Sequence, residues 1–215
     1  MSTLKRERPK TEEQWVKARD NRGLGASEAA AVVGMSPWMS ADELWKIKTG
    51  IKERPSLSDN PLIQQGKRME SAVRELYKAA NPEYKVKHNP YDLLYQEERS
   101  WLFATLDGEV TDERGRHGIL ECKTSSPQSR AEWGLWDEQI PKQYHIQILH
   151  QMLATGWEFV DLMALLINKE RDFVVRTYHF ERSDYEEDLK WLAQKEETFW
   201  WSVTRKELPP MTLVL

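Results

Sequence analysis

The spacing of apolar and polar residues predicts helices at both ends of the chain and in its middle, with strands between them. In the first eighty residues apolar positions recur every three or four residues, the period of a helix with one buried face. From residue 84 the period shortens toward two, as in a strand. The pattern predicts helices over residues 11–19, 28–33, 41–49, 61–80, 141–155 and 183–205, and strands over residues 84–88, 101–110, 118–123, 159–167 and 173–180.

Local signals place the helix ends. Residues 11–14 (TEEQ) and 40–43 (SADE) have the form of a capping box, and Asn60 followed by a proline is a cap with a first-turn proline. Gly23 breaks the first helix, and Ser27 is placed to cap the next one. The order of elements, with helices first, then a mixed sheet crossed by one helix, then a helix, predicts an α/β or α+β fold.

The composition indicates a folded protein of ordinary size. The chain has 215 residues, of which 40% are hydrophobic and 10% aromatic, so it can bury a substantial core. Residues 1–10 are charged and carry no apolar period, and we expect them to form a flexible basic arm. We expect residues 11–215 to form a single domain.

Charge and cysteine content exclude several classes of protein. The 31 basic and 35 acidic residues give a net charge of −4, which excludes a protein that coats nucleic acid by bulk attraction but permits a local basic channel. A single cysteine excludes an intrachain disulfide and a cysteine-based zinc site. No apolar run approaches the roughly 18 residues of a membrane span, and no apolar segment follows the basic N-terminus, so we expect a cytoplasmic protein.

Residues 118–123, with the sequence GILECK, carry the strongest chemical signal. In a strand Glu121 and Lys123 project from one face, and charges on a buried strand are costly unless they are paired, hydrogen-bonded or bound to a metal. Asp107 ends the preceding apolar segment, and a hairpin around residues 112–117 would bring it beside Glu121. Two adjacent carboxylates repel each other unless a divalent cation lies between them.

This set of residues is suited to Mg²⁺-dependent hydrolysis of a phosphodiester. Mg²⁺ prefers oxygen ligands and keeps some of its waters, so Asp107, Glu121 and the backbone carbonyl of Cys122 would suit it. The cation would activate water and neutralise charge, while Lys123 would position the nucleophile, help to deprotonate it, or stabilise charge. By the pattern alone, a Glu-x-Lys pair on a strand is more often an exposed ion pair.

Several motifs, in a fixed order, resemble one nuclease family. Asp107 with residues 121–123 matches the PD-(D/E)xK nuclease core, with Leu106 where a proline is usual. Three further segments resemble the branch of phage recombination exonucleases that includes λ exonuclease and YqaJ: RGLGASEAA to GMSPW at residues 22–38, GKRME at residues 66–70, and YHIQ at residues 144–147.

The resemblance implies a PD-(D/E)xK fold of the α/β class, a central mixed β-sheet flanked by α-helices. It assigns Asp107, Glu121 and the Cys122 carbonyl to Mg²⁺, for which Mn²⁺ could substitute, and makes Lys123 the catalytic lysine. We expect the histidines to take no part, because none has metal-ligand spacing: His88, His117, His145 and His150.

The resemblance also assigns residues outside the core motif. Glu70 would reach a second cation, directly or through water, and Gln147 would orient a water or the lysine. Arg19 and Ser27 match positions that hold the 5′-terminal phosphate of DNA, which is chemically reasonable for a guanidinium and a hydroxyl near a helix N-terminus. Because the match needs a one-residue insertion there, Arg22 is an alternative to Arg19.

The implied function is a Mg²⁺-dependent exonuclease that enters linear double-stranded DNA at an end. It would digest in the 5′→3′ direction and leave a 3′ single-stranded overhang. Members of the branch commonly form a ring-shaped homotrimer around the duplex, and the overhang implies a single-strand annealing protein as partner. A phage-encoded protein would act in the bacterial host cytoplasm. Two alternatives stay open: an endonuclease of restriction or repair type on the same core, and a DNA-end-binding protein whose carboxylates are structural.

Overall fold

The computed structural model describes residues 3–56 and 59–209, whose strands form two β-sheets surrounded by helices. The strands are β1 (Leu4–Glu7), β2 (Leu24–Gly25), β3 (Lys85–Lys87), β4 (Leu93–Gln96), β5 (Leu102–Ala104), β6 (Gly108–Thr111), β7 (His117–Ser125), β8 (Phe159–Ile167) and β9 (Phe173–Glu181). The helices are α1 (Glu12–Arg22), α2 (Ala26–Val32), α3 (Ala41–Lys48), α4 (Pro61–Ala80), α5 (Arg130–Gly134), α6 (Lys142–Thr155) and α7 (Glu186–Arg205). None of these helices has the length and apolar character needed to cross a bilayer.

A five-stranded sheet of order β3-β6-β7-β8-β9 forms the centre of the molecule. β7 and β8 run parallel, with Glu121 opposite Leu162, and the other neighbouring strands run antiparallel. Apolar side chains of α4 pack over one face, and those of α6 pack over the other. β8 is therefore buried along its whole length. This is the mixed sheet flanked by helices that the sequence predicts.

A four-stranded sheet of order β1-β4-β5-β2 lies beside the first. β2 has two residues and pairs in parallel with β5, with Leu24 opposite Leu102. Gly23, just before β2, approaches the main chain so closely that a side chain there would collide with the carbonyl oxygen of Trp101. This close approach holds α1 and α2, the helices on either side of β2, against the edge of the sheet.

One strand prediction is wrong, and two elements were missed. Residues 101–110 do not form one strand but divide into β5 and β6, which belong to different sheets and are joined by residues 105–107. The apolar run continues through Leu106, which is buried, so the pattern carries no sign of the break. β4 and the short helix α5 were not predicted.

The first residues of the chain also differ from the flexible arm that we expected. Residues 4–7 form β1, which pairs antiparallel with β4. The Arg6 guanidinium donates to Asp92 at 2.6 Å and to Glu109 at 2.8 Å, so charge pairs hold this strand together with the packing of Leu4 against the core. Such pairs join residues far apart in the sequence and have no local signal.

The start of α2 differs in one detail from the prediction. The helix begins at Ala26 with Gly25 in the cap position, so Ser27 lies in the first turn and does not cap it. The Glu28 carboxylate instead reaches back and accepts a hydrogen bond from the Gly25 N–H at 3.0 Å. The Ser27 hydroxyl is therefore left free of a capping role.

Candidate active site

One cleft, with a volume of about 610 Å³, brings together eight of the nine residues predicted for the site. They are Arg19, Ser27, Glu70, Asp107, Glu121, Cys122, Lys123 and Gln147. The ninth, Arg22, does not line the cleft. It forms an ion pair with Glu7 and lies 4.1 Å from the centre of the Tyr95 ring.

β7 divides its side chains between the two faces of the central sheet. Cys122 points toward the apolar cluster formed with α4. Glu121 and Lys123 point to the opposite face, where α6 supplies their partners. Glu121 is only 3% exposed, so its carboxylate depends on protein donors.

Asp107 is held beside β7 by the hairpin that the sequence predicts. β6 and β7 pair antiparallel, with Gly108 opposite Leu120. Just beyond the end of this ladder, Oδ2 of Asp107 accepts a hydrogen bond from the Cys122 N–H at 2.8 Å. Because the N–H and C=O of one strand residue face the same edge, the Cys122 carbonyl also faces Asp107.

The Glu121 carboxylate receives three hydrogen-bond donors. Its Oε1 lies 2.6 Å from Nζ of Lys123 and accepts from Nε2 of Gln147 at 2.6 Å. Gln147 closes the ring of contacts, because its Oε1 accepts from Nζ of Lys123 at 3.0 Å. The other Glu121 oxygen, Oε2, accepts from Nε2 of Gln151 at 2.6 Å.

The carboxylates of the cleft repel one another. Burial raises the pKa of Asp107 well above its usual value, and the charges of Glu121 and Glu70 raise it further. Burial opposes protonation of Lys123, but the charges of Glu121 and Asp107 outweigh it and raise the pKa of the lysine. The site is thus a cluster of acids around one firmly protonated amine.

Arg74 connects Glu70 to the segment that carries Asp107. Its Nη1 donates to Oε1 of Glu70 at 3.1 Å and to the backbone carbonyl of Asp107 at 2.7 Å. The guanidinium therefore ties α4 to residues 105–107 and keeps the Glu70 carboxylate near the site.

The donor set fits a hard divalent cation. Asp107, Glu121 and the Cys122 carbonyl are all oxygen donors, and a cation between the two carboxylates would relieve the repulsion that raises the pKa of Asp107. Across residues 3–56 and 59–209, no three Asp, Glu, His or Cys side chains form a group that could hold a metal ion. The carbonyl and water would therefore complete the coordination shell, as Mg²⁺ prefers.

At another part of the cleft wall, Arg19 feels the charges of Glu28 and Asp20 but has neither of them as a direct ion-pair partner. Its guanidinium lies 4.4 Å from the centre of the Trp15 ring, and burial lowers its pKa. Within the described parts of the chain it donates no hydrogen bond and forms no ion pair. Ser27, whose side chain is exposed, lines the same cleft. Four other basic residues near the N-terminus are already paired: Lys5, Arg6, Arg8 and Arg22.

Four residues of the site escaped the sequence prediction. Each lies three or four positions from a predicted residue on the same helix, where side chains share a face. They are Trp15 next to Arg19, Arg74 next to Glu70, and Tyr144 and Gln151 on either side of Gln147. Nζ of Lys123 lies 4.6 Å from the centre of the Tyr144 ring. Helical spacing from the predicted residues was the signal that could have found them.

The histidines have different surroundings. His88 lines the cleft, with its Nδ1 buried and without a hydrogen-bond partner in the described residues. His145 packs against the rings of Phe180 and Tyr185. His150 is fully buried beside Glu196.

Solved exonucleases share this fold. The alkaline exonuclease LHK-Exo of Laribacter hongkongensis, also solved in complex with dAMP, superposes with a TM-score of 0.59 at 20% identity, covering 90% of this chain and 97% of that one. A phage-related exonuclease from Haemophilus somnus 129PT superposes with a TM-score of 0.54 at 13% identity, covering 86% and 96%. At these identities the likeness shows the fold alone, a mixed β-sheet flanked by helices.

Sequence relatives identify the family. The chain is 29% identical over 188 residues to the uncharacterized protein YqaJ of Bacillus subtilis (strain 168). The match covers 87% of this chain but 55% of YqaJ, so the chain spans about half the length of that relative. The profile of the YqaJ-like viral recombinase domain matches residues 14–158, a range that contains every residue predicted for the site. As the motifs predict, this chain belongs to the family of YqaJ-like viral recombinase domains.

Proposed function

We propose that this chain is a Mg²⁺-dependent exonuclease that digests the 5′-ended strand of linear duplex DNA in the 5′→3′ direction and leaves a 3′ overhang. The observation that carries the proposal is the cleft itself, which joins a carboxylate and lysine centre to an arginine without a partner. A phosphodiester chain is the substrate that offers an anion to both. The likeness to proteins that are named exonucleases supports the proposal.

The chain supplies the oxygen ligands and the ammonium that phosphodiester hydrolysis requires. Asp107, Glu121 and the Cys122 carbonyl would hold Mg²⁺, or Mn²⁺ in its place, and the bound ion would activate water and neutralise charge on the phosphate. Burial lowers the pKa of Lys123, but the charges of Glu121 and Asp107 raise it overall. Lys123 would position the nucleophile, help to deprotonate it, or stabilise charge on the scissile phosphate.

One glutamine and one glutamate side chain support this centre. Gln147 accepts a hydrogen bond from Lys123 and donates one to Glu121, so it fixes the relative positions of the ammonium and the carboxylate. Glu70, which lines the cleft, would reach a second cation directly or through water. Both roles follow from the family resemblance, and the contacts are consistent with them.

Arg19 and Ser27 are the proposed ligands of the 5′-terminal phosphate. A guanidinium that is half-buried and unpaired is costly, and an incoming phosphate would supply its missing acceptor. An end-binding site of this kind would favour a free DNA end over a continuous strand. LHK-Exo, which shares this fold, has been solved in complex with the nucleotide dAMP.

The proposal includes an assembly and a partner. From the family resemblance we propose that the chain forms a homotrimer around the duplex and passes its overhang to a single-strand annealing protein. Light scattering on the purified protein would measure the mass. Co-purification with a single-strand annealing protein would test the partnership.

The first experiment is digestion of a linear duplex labelled separately at each 5′ and 3′ end. We expect nucleotides to leave from the 5′ ends with Mg²⁺, none with EDTA, and none with Lys123→Ala. Lys190→Ala, which removes an exposed lysine on α7 paired with Glu187, is the matched control and should digest normally. Cleavage of closed circular DNA would identify an endonuclease instead. A duplex that survives every condition would refute the proposal.

A further inference from the structure

Gln151 is a fully buried amide that donates to the proposed metal ligand but does not line the cleft. It is 0% exposed, and its Nε2 lies 2.6 Å from Oε2 of Glu121. It follows Gln147 by one helical turn, so both amides contact the same carboxylate from α6. Neither the sequence motif nor the family comparison assigns it a role.

The contacts of Glu121 divide between its two oxygens. Oε1 faces Lys123 and Gln147, both of which line the cleft. Oε2 faces Gln151 on the buried side. The carboxylate is therefore held with one oxygen toward the cleft and the other toward the interior.

Gln151 occupies this place at an energetic cost. Its own Oε1 is buried and has no hydrogen-bond partner in the described residues. An unsatisfied buried acceptor is destabilising, whereas a hydrogen bond to a charged group is stabilising. The unsatisfied Oε1 therefore offsets part of what the hydrogen bond to Glu121 contributes to the stability of the fold.

We propose that Gln151 is a positioning residue that orients Glu121 for the divalent cation. By binding Oε2 it prevents rotation of the carboxylate and keeps Oε1 directed at the cleft, where the cation would bind. This inference rests on the proposed function, because it assumes that Glu121 binds Mg²⁺ or Mn²⁺. Hydrogen bonds to ligating carboxylates tune metal affinity in this manner.

The test is Gln151→Leu, which removes the donor and the unsatisfied acceptor together. We expect the Mg²⁺ concentration for half-maximal digestion to rise about tenfold or more, with most of the maximal rate recovered at saturating Mg²⁺. We also expect Mn²⁺ binding, measured by electron paramagnetic resonance without DNA, to weaken by a similar factor. The melting temperature without metal should fall, because the variant leaves Oε2 of the buried Glu121 without its donor, so metal affinity is the measurement that separates positioning from stability.

Gln96→Leu is the matched control. Gln96 also donates to α6, at 2.7 Å to the carbonyl of Thr155, and also has a buried Oε1 without a partner in the described residues. It contacts no residue of the site, so its variant should bind Mn²⁺ like the wild type.

Each outcome is decisive. Unchanged Mn²⁺ affinity in Gln151→Leu, with a normal wild type, would overturn the role of Gln151 and leave the nuclease proposal standing. A fall in maximal rate and melting temperature without a change in metal affinity would also overturn it, since that is what a merely structural residue would give. A wild type that binds no Mn²⁺ and digests no DNA would refute both proposals.

Discussion

The guanidinium of Arg19 provides the sharpest prediction, because in the described part of the chain it has no hydrogen-bond acceptor and no ion-pair partner. Arg19→Gln removes the charge and the fork of donors from the cleft but breaks no ion pair, so the fold should tolerate it. If a 5′-phosphate is its ligand, the variant should lose activity on a 5′-phosphorylated duplex and lose little on a 5′-hydroxyl duplex. A hydrogen bond between charged groups contributes about 1.5–3 kcal/mol, which corresponds to roughly a 10- to 150-fold change in kcat/KM.

The assay is a two-by-two comparison of wild type and Arg19→Gln on the two duplexes. The interaction between Arg19 and the phosphate is the difference between the two losses, which separates direct contact from general damage. Arg19→Lys should give an intermediate value, because an ammonium keeps the charge without the fork. An equal loss on both duplexes would refute the contact.

Arg22→Gln serves as the control for the alternative match. Arg22 is already paired with Glu7 and stacked over Tyr95, so its loss should lower stability and leave the preference for the 5′-phosphate intact. If Arg22→Gln removes the preference and Arg19→Gln does not, the phosphate site was assigned to the wrong arginine.

Two further predictions concern stability and pH. Asp107→Asn keeps an oxygen for the Cys122 N–H and removes a charge from the acid cluster. Because the folded pKa of Asp107 is raised, the stability of the wild type falls as pH rises through that pKa. The variant should therefore be about 0.5–2 kcal/mol more stable than the wild type at alkaline pH in EDTA, and it should lose digestion. Urea unfolding at acidic and alkaline pH measures this, and a gain that does not grow with pH would count against it. Burial disfavours charge on His150, but the charge of Glu196 and hydrogen bonds to Glu196 and the Phe103 carbonyl raise its pKa above 6.5. The stability that this pairing contributes is therefore complete below pH 6.5 and is lost as pH rises through the folded pKa. Glu196→Gln should therefore destabilise the protein most at acidic pH, and a destabilisation of equal size at every pH would contradict the pairing.

The parts of the fold that the sequence predicts are those with a local signal. The long helices α4 and α6 have caps or breakers at their ends, and β8 was predicted with its observed limits. The hairpin between β6 and β7 follows from polar turn residues, and Glu121 and Lys123 follow from their positions on β7. Each of these features depends on residues close together in the chain.

What escaped prediction depends on partners far away in the chain. β1 is held by Arg6, whose carboxylate partners Asp92 and Glu109 lie 86 and 103 residues later. Gln151 becomes meaningful only when Glu121, 30 residues before it, is known to be its acceptor. The division between β5 and β6 also escaped prediction. Because both sides of the break are buried, the apolar pattern continues through it without a signal.

The link over residues 105–107 has a consequence for the size of the product. Arg19 and Ser27 lie on the helices that flank β2 in the four-stranded sheet, whereas Asp107 ends the link just before β6 and Glu121 lies on β7, the central strand of the five-stranded sheet. This short link, tied to α4 through Arg74, sets the separation of the two groups. Under the proposed function, that separation fixes the distance between the bound 5′ end and the bond that is cut. The number of nucleotides that fits between the bound end and the cut bond would be fixed, and each cut would release a product of the same length.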